Sequence, residues 1–320
     1  MSTAPDQPAK EHPAGFHHEA LLYPGATEFM TGVLSFLHPA LDAGHPTLVL
    51  LTAAKIDAVR NALGPAAEKV SFADVADVGG NPGRLIGVWQ RFIDGHADAG
   101  QVRCVGEAVF PGRSPAELAE CVRYEELLNV AFGPATPLRL LCPYDGSALP
   151  EQVLQDARRT HPYLTAGRPG DEQASTDFQP TDAAELYRRP LPAGPGDAAL
   201  ITFERGGLGS LRGFVTARAE QAGLGPRPVT ALVAAVNEIA TNSLQHGGGH
   251  GALRMWTDDG WLLCEVSDQG HLTAPLAGRM PPAADQGAGL WLANQLTDLV
   301  QIHSTSGGTI VRVHQKLNAG

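Results

Sequence analysis

Between Ala166 and Pro195 the hydrophobic rhythm of the chain breaks. The segment opens Ala166-Gly-Arg-Pro-Gly-Asp171 and ends on Pro190, Pro192 and Pro195, a composition that favours a linker over a packed element. A chain of 320 residues has length for two ordinary domains. We therefore expect one domain over 14–165, a linker over 166–198 and a second domain over 199–317. Residues 1–13, polar and Pro-rich, are expected to be a disordered tail. With Gly at 37 positions and Pro at 25, turns and loops are expected rather than long coiled coils.

The two parts differ in pattern. The first alternates apolar strand-like runs, clearest at 47–51 and 138–142, with helical stretches at 27–43, 82–95, 114–131 and 150–159. Ser114-Pro115 reads as a cap followed by proline at the first helical position. Such alternation implies a mainly parallel α/β sheet. In the second part, 208–222 and 227–246 read as helices, and 251–257 and 261–268 as a hairpin around Asp258-Asp259-Gly260. A long loop follows over 269–286, then a helix at 290–298 and strands at 299–304 and 309–314.

Charge and cysteine content narrow the function. The formal net charge is −11 and no run of Lys or Arg occurs, so a nucleic-acid grip is not expected. The four cysteines form no C-x-x-C pair and read as reduced thiols. The start lacks the apolar core of a signal peptide, and no apolar run reaches membrane-spanning length. A cytoplasmic protein that binds neither nucleic acid nor membrane is the expectation.

The helix at 227–246 carries the most chemistry. Leu232, Val236, Ile239 and Ser243 make one packed face, and Glu238, Asn242 and Gln245 a neighbouring one. A carboxylate and an amide four residues apart stack along a helix. Together they suit one Mg²⁺ and one activated water or hydroxyl, though alone they read as an exposed polar stripe on an amphipathic helix. Asp268-Gln-Gly270 ends an apolar strand, where a carboxylate can accept from the adenine amine and glycine lets the chain turn beside the base. Gly287-Ala-Gly289 directly precedes a helix, a place where backbone N–H groups can meet phosphates.

In this order and spacing the three signals resemble the GHKL ATPase superfamily. Asn237-Glu-Ile-Ala-Thr-Asn-Ser-Leu-Gln-His-Gly247 is similar to its N box, and 268–270 and 287–290 to its two glycine boxes. Glu238, Asn242, His246 and Gly247, with Gly308-Thr309 near the end, resemble the anti-sigma-factor serine kinases of partner-switching systems (RsbW-like) most. The resemblance implies a GHKL (Bergerat) α/β sandwich that binds ATP and Mg²⁺. It implies Glu238 as general base, Asn242 as the Mg²⁺ ligand, and Asp268 with Gly270 and Thr309 at the adenine. Gly287, Gly289 and Leu290 would line the phosphates, and Arg212 would touch a protein partner. The implied partner is a sigma factor or a STAS-type antagonist, and a homodimer is in keeping with the family. The second glycine box is short and holds no basic residue, so Arg279 in the loop is the candidate to meet the terminal phosphate. A non-catalytic ATP-dependent interaction module, and a histidine-kinase-type ATPase domain with a separate phosphoacceptor, remain alternatives. His246 and His250 have H-x₃-H spacing, but the glycines between them cannot hold helix register, which discounts zinc there.

The first part has no G-x-x-x-x-G-K-[ST] phosphate loop. Its polar groups cluster at Phe16-His17-His18 with Tyr23, and at Glu107, Arg113-Ser114, Glu125 and Cys142-Pro-Tyr-Asp145. The motifs His17…Tyr23, Gly80-Asn-Pro-Gly-Arg84, Val105-Gly-Glu107, Pro111-Gly-Arg-Ser114, Glu125-x-Leu-Leu-Asn129 and Leu141-Cys-Pro-Tyr-Asp145 resemble the MEDS sensory domain over about 14–165. That resemblance implies a RecA-like α/β fold and a small-molecule input, with His17, Tyr23, Glu107, Tyr144 and Asp145 as ligand-contact candidates.

Overall fold

The computed structural model describes residues 15–168, 171–282 and 287–317; the tail expected over 1–13 lies outside them. In the first half the elements are β1 (His17–Tyr23), α1 (Ala26–Asp42), β2 (Thr47–Leu51), α2 (Ala53–Leu63), β3 (Val70–Asp74), α3 (Val75–Val78) and α4 (Leu85–Asp94). There follow β4 (Val102–Gly106), α5 (Pro115–Ala131), β5 (Leu138–Asp145), α6 (Glu151–Thr160), β6 (Tyr163–Thr165) and β7 (Gln173–Ala174). The second half holds β8 (Ala199–Glu204), α7 (Leu208–Gln221), α8 (Pro226–His246), β9 (His250–Asp258), β10 (Trp261–Asp268), α9 (Gly289–Leu296), β11 (Leu299–Thr305) and β12 (Gly308–Lys316).

The chain forms two compact units that do not follow the linear boundary. Among the described residues, one lies within 1–75, 92–112 and 132–179; the other within 76–91, 113–131 and 180–320. The segment expected as a linker contributes to both. Its residues 173–174 form β7, paired antiparallel to β6. Tyr187 is buried in the second unit's core, and its hydroxyl donates to the Pro275 carbonyl at 2.7 Å. Glycine and proline marked the turns there but gave no sign of these long-range contacts.

The first unit is built on a sheet of order β3-β2-β4-β5-β1-β6-β7, parallel as expected except for the edge strand β7. Strand residues alternate between faces. Leu21, Tyr23, Val49, Leu51, Val105 and Leu141 pack with Phe29, Val33 and Leu37 of α1 and Ile56 and Val59 of α2. His18, Cys142 and Tyr144 belong to the opposite parity. The β1–β5 register runs from His17 opposite Arg139 to Tyr23 opposite Asp145, so the last pair stands at the carboxyl edge. In parallel sheets that edge is where ligands gather.

The second unit has an antiparallel sheet of order β11-β12-β10-β9-β8. Helices α7, α8 and α9 supply Leu211, Val215, Leu232, Val236, Ile239 and Ala293 to a core shared with Leu253, Val266, Val300 and Val313 of the strands. Proline at the first turn starts α8 without needing a donated N–H. Asp259 and Gly260 turn β9 into β10 with φ of 40° and 79°, as the D-G signal requires. Helix α5, part of this unit, begins with a reciprocal cap: Ser114 N donates to Glu117 Oε2 at 2.8 Å, and Glu117 N donates to Ser114 Oγ at 3.3 Å.

His314 on β12 shows what burial does here. Burial first, then Arg312, lowers its pKa from 6.5 to about 4. A base with a depressed folded pKa adds stability above its unfolded pKa, and that stability is lost as pH falls through the folded one. All four tryptophans, Trp89, Trp256, Trp261 and Trp291, lie in the second unit, so their fluorescence reports its unfolding. Urea midpoints of the second unit should decline between pH 6.5 and 4, and His314→Gln should flatten that decline.

Candidate functional site

The second unit brings Glu238, Asn242, Asp268 and Gly289 to one place. Glu238 and Asn242 lie a helical turn apart on α8, both half-buried. Neither spends its side-chain polar atoms on a described partner. The next residue, Ser243, donates its hydroxyl to Asp268 Oδ2 at 2.5 Å, fixing the end of β10 against α8. Gly270 N donates to Asp268 Oδ1 at 2.7 Å. Each carboxylate oxygen keeps a further lone pair for a ligand amine.

The glycines are placed by close approach. A Cβ on Gly247 would stand 2.4 Å from the Asp268 carboxylate, and one on Gly270 2.9 Å from Asp268 Oδ1. A Cβ on Gly289, at the start of α9, would stand 2.7 Å from Asn242 Nδ2, so the Asn242 amide rests against the second glycine box. Among the described residues, no atom lies within 4 Å of where a Cβ on Gly287 would stand. Leu290 packs under the loop, where a Cβ on Gly278 would meet it at 2.8 Å. Thr309 donates to the Gly270 carbonyl at 2.9 Å and lies 2.7 Å from Ser304 Oγ, which accepts from Leu272 N at 2.8 Å. These hydroxyls brace the turn after Asp268. Arg212 is exposed on α7 and reaches Asn237 Oδ1 on α8 at 3.0 Å. A hard amide oxygen, an uncommitted carboxylate and an accessible Gly287 backbone before a helix fit Mg·ATP.

A cleft of about 600 Å³ nearby takes in Asp268 with Phe203, Glu204 and His250, but neither Glu238 nor Asn242. The nucleotide site is therefore defined by its polar groups rather than by this cleft. His250 and His246 are both exposed, and the His250 ring turns to the Gly248 carbonyl.

In the first unit, Tyr23 and Glu107 meet Lys55 at the carboxyl edge of the sheet, and Asp145 stands opposite Tyr23 in the β1–β5 register, where its charge acts on both. Lys55 Nζ donates to the Tyr23 hydroxyl at 2.8 Å and pairs with Glu107. Burial raises the Glu107 pKa against the pull of Lys55, and burial with the Glu107 and Asp145 charges keeps Tyr23 protonated. His17 and Tyr144 stand elsewhere. His17 Nε2 pairs with Glu172 at 3.2 Å and its ring stacks on Tyr163. Tyr144 meets His161 edge-on, with centroids 5.5 Å apart.

Residues 17–162 match the family model for MEDS, the methanogen/methylotroph, DcmR sensory domain, and residues 202–314 match that for the histidine kinase-like ATPase domain. The chain joins a MEDS domain to a histidine kinase-like ATPase domain. The ATPase domain is an ATP-binding module of kinase-like type. No curated protein matches the chain. Among solved structures, the RsbU and RsbW domains of Rv1364c from Mycobacterium tuberculosis align at 19% identity with a TM-score of 0.30, over 38% of this chain and 33% of that one. The chain thus spans 33%, about a third, of that relative's length. Histidine kinase AdeS from Acinetobacter baumannii aligns at 10% identity with a TM-score of 0.24, over 38% of this chain and 68% of that one.

Two findings stand outside the sequence reading. Lys55, the cation among the MEDS candidates, was missed; its one signal is its place in the first turn of the helix after a parallel strand. Arg279 is not free to meet a terminal phosphate. It is 1% exposed and ion-paired with Glu120 of α5, itself 1% exposed. A guanidinium withdrawn from water stays with the carboxylate that neutralises it. The end of α9 is held by the same part of the unit. Arg84 donates to the Asn294 and Thr297 carbonyls at 2.7 and 2.8 Å, a cation at a helix C-terminus. Asn81 donates to Asn294 as well, and a Cβ on Gly83 would stand 2.2 Å from Asn294 Oδ1.

Asp268→Asn should weaken Mg·ATP binding by roughly 10- to 100-fold, the worth of a charged hydrogen bond, and erode preference over GTP in calorimetry. Glu120→Gln leaves the Arg279 charge buried and unpaired. It should lower the urea midpoint of the second unit, by roughly 3–5 kcal/mol in stability, when followed by tryptophan fluorescence.

Proposed function

We propose that the ATPase domain is a serine protein kinase of the anti-sigma-factor type, working under the control of the MEDS domain. Asn242 holds Mg²⁺ against the phosphates. Asp268 reads the adenine. Glu238 accepts the proton of an incoming serine hydroxyl on an antagonist protein of the STAS type, and the same surface around Arg212 engages a sigma factor. The observation that carries this reading is the pairing of an uncommitted Glu238 with Asn242 one turn away, with Asn242 laid against Gly289. Phosphoryl transfer needs positioning, a metal and a base, and this constellation supplies candidates for each.

The MEDS domain receives a small ligand at the Tyr23, Lys55, Glu107 and Asp145 cluster. Residues 76–91 and 113–131 lie inside the MEDS match yet hold α9 and the loop through Arg84, Asn81 and Glu120. Input is felt at the nucleotide because these segments bias how the loop and α9 are held.

A second reading is favoured by the buried Arg279. With that cation committed to Glu120, the domain has no described basic group at the terminal phosphate, which suits an ATP-dependent binding module without transfer. Replacing the proposed base separates the two. Glu238→Gln should leave the affinity for Mg·ATP nearly unchanged while acid-stable phosphate on the antagonist's serine falls by roughly 10²- to 10⁴-fold. A wild-type protein that binds ATP and partner but transfers no phosphate would leave only the binding module. Acid-labile phosphate would point instead to histidine chemistry.

A further inference from the structure

One cluster of the first unit is built from residues that bind transition metals and has no part in the site above. His18 on β1, Cys142 on β5 and His161, which follows α6, converge on the sheet face opposite α1 and α2. All are buried, at 1%, 0% and 0% exposure. Their ligand-capable atoms lie within 4.8 Å of one another. Cys142 Sγ is 3.5 Å from His18 Nε2. A sulfur and a nitrogen bound to one zinc ion at the usual bond lengths and a tetrahedral angle stand about 3.6 Å apart. The rings of His18 and His161 have centroids 4.1 Å apart and are tilted by 43°, so their nitrogens reach a shared space rather than stacking flat.

The tautomer of His161 is decided by its surroundings. Its Nδ1 lies 2.8 Å from the Ala157 carbonyl, which can only accept. Nδ1 therefore carries the proton and Nε2 the lone pair. Metal-binding imidazoles are commonly oriented in this way, one nitrogen donating to a backbone carbonyl and the other facing the ion. The three residues come from separate elements, so an ion here would cross-link β1, β5 and the end of α6.

We propose that His18, Cys142 and His161 form a binding site for a borderline-soft divalent transition-metal ion of the zinc class. Two imidazoles and a thiolate select such an ion over Mg²⁺ or Ca²⁺, which take oxygen ligands. Binding forms two metal–nitrogen bonds and one metal–sulfur bond, and the Cys142 thiol proton passes to solvent.

The test uses the full chain without nucleotide, so its outcome is independent of the kinase reading. Chelator-stripped protein is titrated with Co²⁺ alone, and then with Zn²⁺. The expected result is one Co²⁺ per chain with a thiolate-to-cobalt charge-transfer band, abolished when Zn²⁺ displaces the cobalt. Cys142→Ser should lose the band, and His161→Gln should weaken binding. Cys104→Ser, buried in β4 outside the cluster, should keep the band. Circular dichroism checks that each variant folds. A wild-type chain that gives no thiolate band, or a folded Cys142→Ser chain that keeps it, overturns the proposal, and the wild-type result stands even if a variant fails to fold.

Discussion

The short hydrogen bond from Ser243 to Asp268 is the contact on which the nucleotide site depends. It joins the helix that bears the proposed metal ligand and base to the strand that bears the proposed adenine reader. Its net contribution to stability is modest, as for any hydrogen bond exchanged with water. Its positional effect is larger, because a carboxylate held at both oxygens cannot swing away from the place where a base must dock. Gly247 and Gly270 are part of the same arrangement. Their missing side chains let the backbone close on Asp268, and Thr309 keeps that closure in place.

A second layer holds the phosphate side. Helix α9 has only eight residues and begins on glycine, so its own propensity is small. Its final carbonyls are capped by Arg84, and the loop before it is fastened by Arg279 to Glu120. Both caps come from the MEDS part of the sequence. A domain boundary drawn along the chain would separate groups that fold together.

Much of the candidate site was legible in the sequence. The polar face of α8, the D-x-G at the end of β10 and the G-x-G before α9 each obey a local spacing rule, and local rules survive folding. The Ser114 cap of α5 is legible for the same reason. What escaped reading depends on partners far apart in sequence. Arg279 looked like a loop cation because Glu120 lies 159 residues away. Tyr187 looked like linker because its acceptor is 88 residues on. Lys55 is unremarkable until parallel pairing sets Tyr23 and Glu107 beside it. Ser243 was read as core, which it is by burial, while its hydroxyl does the tethering.

Strand β1 carries two unrelated tasks on alternate residues. His17 and Glu19 face a charged network with Arg139 and Glu172, while His18, between them, faces Cys142 and His161. Losing or gaining one amino acid in this strand would exchange the two sides, bringing carboxylate among the sulfur and imidazole groups and stranding the arginine. A single frame-preserving indel in this stretch should therefore disrupt both sides of the sheet together, whereas a single substitution disturbs only the side it faces.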